Sequence, residues 1–235
     1  MVSVCMATKN GGMFIREQLD SILPQLGEED EIVISDDFSS DDTVDIIKSF
    51  KDHRIRILES QVARGISSNF EASLTLSAGD YIFLADQDDV WLPGKVNKML
   101  EALSHYDLVM SDCRLVDDSL QVTKSSFYNL NNSGSGLLKN LFKNSYMGCC
   151  MAFTKRLKDR ALPFPYDIPI HDFWIGLIGE VYYKVHFMKD TLVLHRRHDT
   201  NASTSGEISD QSWQEKFGNR LNLVKNLFIH KFYAG

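Results

Sequence analysis

The sequence predicts an α/β fold, with a mostly parallel, doubly wound central sheet flanked by helices. Three observations carry that prediction. Short apolar runs at residues 2–7, 31–35, 55–58 and 81–85 alternate with segments of helical period. The run at 81–85 is apolar almost throughout, as a strand covered on both faces must be. The strand-helix unit also recurs several times, which is the pattern of a parallel sheet.

Each element has its own justification. Residues 13–23 place Phe14, Ile15, Leu19, Ile22 and Leu23 at helical spacing. Ser40 or Asp41 is suited to cap a helix that carries Val44, Ile47 and Phe50 on one face. Residues 67–77 align Phe70, Leu74 and Ser77. After a strand at 108–115, residues 117–136 are rich in Ser, Asn, Asp and Gly and read as a long polar connection. Further elements are expected as a strand at 148–153, a helix at 172–180, a strand at 191–194 and a final helix at 213–232. The 235 residues read as one domain, with a core of substantial size and no internal repeat.

Composition excludes several functions. Lys plus Arg number 25 against 32 Asp plus Glu, a net charge of −7, so binding nucleic acid through phosphate neutralisation is not expected. No window approaches 18 uninterrupted apolar residues, and the first 26 residues lack the order of charge and cleavage site of a signal peptide. Cys5, Cys113, Cys149 and Cys150 lie in apolar runs without CxxC spacing. They read as buried thiols of a reducing compartment, and the expected location is the cytoplasm.

Two acidic groups follow predicted strands and therefore share one sheet edge, where such folds bind their ligands. These are Asp36-Asp37 and Asp86-Gln87-Asp88-Asp89. Either group can cap a following helix, but one cap needs only one carboxylate. A hard divalent cation, Mn²⁺ or Mg²⁺, accounts better for the second cluster, because crowded carboxylates repel. Asp37 is also placed to accept hydrogen bonds from a nucleobase or ribose, with the turn from Thr8 to Gly12 supplying backbone donors.

Residues 2–10 (VSVCMATKN), 34–43 (ISDDFSSDDT) and 79–93 (GDYIFLADQDDVWLP) together resemble a family 2 glycosyltransferase of GT-A fold. The similarity is strong over 1–115. Beyond it, residues 146–153, 171–174 and 195–203 resemble the rhamnosyltransferase-like bacterial branch that builds surface polysaccharides, including O-antigen and capsule. The resemblance implies a GT-A type, Rossmann-like sheet with a smaller acceptor-side region. It divides the chain into a nucleotide-sugar-binding half (1–115), an acceptor-binding half (116–212) and a C-terminal amphipathic helix (213–235).

The resemblance also implies roles. Asp37 would bind the nucleotide base, with Ala7, Thr8, Asn10, Arg64, Asn69, Asp86 and Gln87 lining the nucleotide site. Asp86 would lie near the ribose, and Asp88, the second acid of the Asp-x-Asp motif, on the metal with His198. Asp172 matches the general base, while His171, Arg196, Arg197 and Trp91 would contact acceptor or diphosphate. The donor would be a nucleoside diphosphate sugar, UDP- or dTDP-linked, and the acceptor a saccharide, lipid-linked.

Bland readings stand beside these roles. Asp172 precedes an apolar helical run, so it also fits an N-cap whose helix dipole would lower its pKa. Trp91 suits packing against the sheet, and His195, at the end of an apolar strand, suits a structural place. Residues 217–233 fit an amphipathic helix on a membrane surface, or one packed on the domain or on a second protomer of a homodimer. A nucleotidyltransferase making a nucleotide sugar and an inactive nucleotide-sugar-binding module are the alternatives. The first lacks an Arg in the turn after strand one, and the second is disfavoured by Asp86, Asp88, Asp172 and His198 standing together.

Overall fold

The apolar runs become the middle of one sheet. In the computed structural model, which describes residues 1–60, 64–198 and 213–233, β1 (Val2–Thr8), β2 (Glu31–Asp36) and β4 (Tyr81–Asp86) are buried almost end to end. With β3 (Ile55–Glu59) they form a parallel set in the order β3-β2-β1-β4. Helices α1 (Ile15–Ile22), α2 (Thr43–Ser49) and α3 (Ile66–Leu76) connect these strands. Burying a side chain such as Ile34, Leu19 or Phe83, none of which meets solvent, stabilises the fold by roughly 1.5–3 kcal/mol each.

Register fixes where the site lies. Thr8 pairs with Asp36 and Ala7 with Asp86, so the loops after β1, β2 and β4 leave from one sheet edge. The short β5 (Val90–Trp91) and helix α4 (Lys95–Leu103) follow, then β6 (Leu108–Val116). The sheet continues from β4 through β8 (Met151–Thr154), β6 and β9 (Val185–Arg196) to β5, while β7 (Val122–Lys124) pairs with β6. Strand β8 is antiparallel to both β4 and β6, which departs from the doubly wound expectation. The reversal has a consequence for the site: β8 begins where β4 ends, and the 3-10 turn Gly148–Cys150 before it reaches the acidic edge.

The second half holds more structure than its polarity suggests. Residues 117–136 contain β7 and helix α5 (Phe127–Asn131), followed by α6 (Leu137–Phe142). Asp112 organises this stretch, accepting from Ser126 Oγ and from the Tyr128 amide at 3.0 Å. The strand expected at 148–153 is a 3-10 turn and then β8, and that expected at 191–194 is the end of the 12-residue β9.

Helix α7 (Lys155–Ala161) leads to α8 (His171–Tyr182), which is buried over its first nine residues. Trp174 donates from Nε1 to the Ala161 carbonyl at 2.9 Å. A Cβ at Gly176 would come within 2.2 Å of the Tyr146 ring, so only glycine lets the two approach. The final helix, α9 (Trp213–Tyr233), packs on the domain through Leu223 and Leu227. Among the described residues no helix is long and apolar enough to cross a membrane.

Candidate active site

Three loops at the carboxyl edge are stitched together by side chains acting on backbone. Thr8 donates its hydroxyl to Asp36 at 2.8 Å, and Asn10 accepts from the Ser40 amide at 2.8 Å. Gln87 pairs with the Lys9 backbone in both directions, accepting at 2.9 Å and donating at 3.1 Å. A Cβ on Gly11 would lie 2.3 Å from Gln87 Oε1, so this clamp requires glycine there. Ala7, next to last in β1, pairs with Asp86.

Asp36 and Asp37 separate in role. Asp36 is held internally, accepting from Thr8, from the Ser39 amide and from the Ser39 hydroxyl. Asp37 faces the start of α3, where its carboxylate accepts from the Arg64 amide at 2.5 Å and the Gly65 amide at 3.3 Å. Lys9 Nζ stands 3.3 Å from it. A helix N-terminus and a cation hold this carboxylate, as they would an anion of any kind.

The acids after β4 gather with β9 and the turn before β8. Asp88 Oδ2 lies 2.9 Å from His198 Nε2. Asp89 is fully buried and accepts from the Arg196 amide at 3.0 Å, with His195 Nδ1 at 2.9 Å. Ligand atoms of Asp86, Asp89, Cys149 and His195 all lie within 4.8 Å of one another. Burial, then the charges of Asp89 and Asp88, push Asp86 well above the usual carboxylate range. Burial and Asp89 likewise raise Asp88, against the opposing pull of His195 and His198.

His195 is more than structural packing. Burial opposes its charge, but Asp89, Asp86 and Asp88 outweigh that and raise its pKa to about 9, so it is an internal cation. Asp89 Oδ2 and His195 Nε2 are buried without a hydrogen-bond partner among the described residues. Asp89 thereby ties the loop carrying Asp88 to the strand end that leads to His198. Replacing Asp89 by Ala is expected to weaken Mn²⁺ affinity at least tenfold. Asp89→Asn, whose Oδ1 accepts the same two bonds, is expected to stay within about threefold of wild type by calorimetry. Equal losses in both variants would assign Asp89's effect to charge and not to positioning.

Asp172 lies at the second position of α8 and is 8% exposed. It accepts from the Gly148 amide at 3.0 Å and from the Phe173 amide at 2.6 Å. Those bonds and the helix terminus favour the carboxylate, yet burial wins and raises its pKa to about 6. The lowering expected from the dipole is corrected accordingly. Its charge is felt by Asp86, so the fold joins groups 86 residues apart in sequence.

Several expected site residues take other places. Asn69 is buried between α3 and the sheet, donating to the Ser35 carbonyl at 2.8 Å and to the Thr8 carbonyl at 3.3 Å. Arg196 is 2% exposed and is engaged by the Asp88 carbonyl at 2.8 Å, the Asp118 carbonyl and Glu17 at 2.5 Å. It braces the site from beneath and does not reach toward a diphosphate. Trp91 is core: its ring packs at 5.8 Å from Phe83, and Lys95 Nζ lies 4.0 Å above it.

Arg64 is exposed at the mouth, and Arg197 donates its amide to the Val116 carbonyl at 2.8 Å. His171 stacks on Phe70 at 4.0 Å with both ring nitrogens buried and, among the described residues, unpartnered, and burial lowers its pKa to about 3. It is therefore a neutral imidazole beside Asp172. Residues 199–203 of the His-bearing motif lie outside the described residues. All four cysteines are buried and free.

With the site assembled, likeness to known proteins decides its class. The description "Glycosyl transferase family 2" matches residues 3–161. The chain belongs to glycosyl transferase family 2. This family 2 transferase is 28% identical over 252 residues to the dTDP-rhamnosyl transferase RfbG of Shigella flexneri, covering 96% of this chain and 81% of that one. It is 25% identical over 198 residues to WfaP of Escherichia coli, covering 79% and 78% respectively. WfaP is described as a UDP-Glc:alpha-D-GlcNAc-diphosphoundecaprenol beta-1,3-glucosyltransferase. Among solved structures, S. aureus TarS with UDP-GlcNAc superposes with a TM-score of 0.74 at 17% identity, over 96% of this chain and 66% of that one. The fold of the family 2 transferase is thus the GT-A fold.

Sequence reasoning missed Lys95 and Glu17 as members of the site's support. Lys95 is fully buried and donates to the Cys149 carbonyl at 2.6 Å, and burial lowers its pKa. A lysine at the start of an ordinary amphipathic helix carries no local sign of burial. Only the turn before β8, brought in from residue 149, supplies its acceptor.

Proposed function

We propose that this protein is an inverting, metal-dependent hexosyltransferase. It moves a hexose or deoxyhexose from a UDP- or dTDP-linked sugar to a hydroxyl of a lipid-linked surface-polysaccharide intermediate, in the cytoplasm. The observation that carries the reading is the juxtaposition of two unlike carboxylate environments. Asp88 is paired with His198, while Asp172 is buried at the α8 terminus with a pKa of about 6, close enough to influence Asp86.

In this reading Asp37 receives the nucleoside, beside the turn from Thr8 to Gly12, whose amides are held by Gln87, Ser39, Thr43 and Asp41 and so fix its shape. Asp172 accepts the proton of the acceptor hydroxyl as its oxygen bonds to the anomeric carbon, while the bond from that carbon to the diphosphate oxygen breaks. A carboxylate with a pKa near 6 is basic enough to take that proton and still ionised at neutral pH. The adjacent Asp88 and His198 atoms fit a divalent cation, and the crowded acids of this edge favour one. A bound ion would neutralise charge on the diphosphate. An imidazole in the ligand set favours Mn²⁺ over Mg²⁺. His171, neutral and buried against Phe70, lines the acceptor side, while the Gly148 and Phe173 amides orient Asp172.

Both relatives reported above act on nucleotide-linked sugars by name, and one of them on a lipid-linked acceptor, which supports the donor and acceptor classes. The test is thermal stabilisation by UDP, dTDP, GDP, CDP and their sugars, with Mn²⁺ and with chelator. A metal-dependent shift is expected for UDP or dTDP compounds, corresponding to roughly 2.7 kcal/mol at a hundredfold excess over the dissociation constant. No shift with any of them would remove the donor site.

A further inference from the structure

We propose that α6 and α9 together form a docking face for an anionic lipid bilayer. The inference rests on charge and exposure, and it deepens the reading of a lipid-linked acceptor without depending on the sugar transferred. Leu138 and Phe142 stand one turn apart on α6 and are 82% and 81% exposed. On α9, Leu221, Phe228 and Ile229 are also exposed, at spacings that place them on one side of the helix. The opposite side of α9 is anchored: Leu223 and Leu227 are buried, and Asn226 donates to Asp167 at 2.7 Å.

Arg220 joins the two helices, donating at 2.5 Å to the carbonyls of both Leu141 and Phe142. The outward apolar side chains are therefore held by packed elements and not by a loose tail.

Charge selects the partner. The protein carries −7 overall, yet residues 119–158 contain no Asp or Glu, only Lys124, Lys139, Lys143, Lys155, Arg156 and Lys158 as charges. Residues 216–235 likewise contain no acid and carry Lys216, Arg220, Lys225 and Lys231. Of the acids elsewhere in the chain, Glu180 meets α6 and Asp167 meets α9, each accepting from neutral amide groups and not from a lysine. Lys139, Lys143 and Lys225 are exposed, and among the described residues none has a carboxylate partner.

Large apolar tips flanked by unneutralised lysines match a surface of acyl chains beneath anionic headgroups. A second copy docking through the same face would bring like charges together. Neither signal alone gives stable binding, and the face supplies both.

The test is co-sedimentation of the full chain with vesicles of phosphatidylcholine containing about 30 mol% phosphatidylglycerol, a typical anionic load. Binding is expected there, and at least tenfold weaker binding on phosphatidylcholine alone or in about 0.5 M salt, where screening is nearly complete. The double variant Leu138→Asp with Phe142→Asp is expected to lose at least tenfold in vesicle affinity. Lys139→Glu with Lys143→Glu is expected to lose binding and its salt dependence. Both variants should keep the wild-type melting temperature and the nucleotide-induced thermal shift, so a failed donor site and a failed docking face give different results. Absence of vesicle binding by the wild type, or unchanged binding by the variants, overturns the proposal. A concentration-dependent dimer that the Leu138→Asp, Phe142→Asp variant abolishes would assign the face to self-association and overturn it as well.

Discussion

Asp88→Ala is expected to abolish metal-dependent donor binding. The Mn²⁺-dependent thermal shift should disappear, and kcat/KM should fall by about 10²–10³-fold or more, the range seen when one preorganised electrostatic contact to a developing charge is removed. Asp88 Oδ2 and His198 Nε2 are 2.9 Å apart, reached from β4 and from beyond β9, and they are the pair proposed above to hold one divalent ion. Without the carboxylate, the proposed ligand set is reduced to the imidazole. The fold itself should not suffer, because Asp88 is already raised by burial and by its acidic neighbours, and its removal relieves repulsion. A melting temperature at or above wild type with no metal-dependent shift is therefore the expected pair of readings. Normal Mn²⁺-dependent nucleotide binding in this variant would take Asp88 out of the metal site.

Asp172→Asn should separate binding from chemistry. Donor-induced stabilisation is expected to persist, since the role proposed for Asp172 is on the acceptor side. Transfer should fall by roughly 10²–10⁴-fold, the usual contribution of a positioned base. The wild-type rate should decline as pH drops through about 6, because the base acts only when ionised.

The stability effect has the opposite sign. A carboxyl group raised from 3.8 to about 6 stabilises the folded state when protonated, and that contribution is lost as pH rises through 6. At pH 8 the buried carboxylate thus costs about 3 kcal/mol relative to its neutral form. The Asp172→Asn variant, whose amide carries no charge, should melt no lower than wild type at pH 8, and the difference should shrink toward pH 4. Near-normal turnover in this variant would remove Asp172 from the mechanism. A flat rate between pH 5 and 7 would sink the buried-base argument.

The positioning of the acids shows where sequence reading works and where it stops. Asp37, Asp86 and Asp88 could be placed at one sheet edge because strand period and order follow from local apolar pattern, and a parallel sheet puts its strand ends together. The helix beginning beside Asp172 was legible for the same reason, from spacing in Phe173, Ile175, Leu177 and Ile178. Asn69, Arg196 and Trp91 were not. Each has the residue type of a contact, yet each is buried: Asn69 and Arg196 serve backbone carbonyls remote in sequence, and the Trp91 ring packs with Phe83 and Lys95.

Asp89 and His195 make the same point. Neither residue's neighbours in the chain reveal that they meet across 106 positions, or that the meeting keeps an imidazole charged inside the protein. By itself the sequence determined the α/β layout, the acidic edge and the family, because these depend on local period and on motifs a few residues long. Tertiary structure alone decided which acids are paired, which arginine is a brace and which carboxylate is basic. Those properties follow from burial and from charges several ångströms away, and both are set by the packing of segments that lie far apart in the chain.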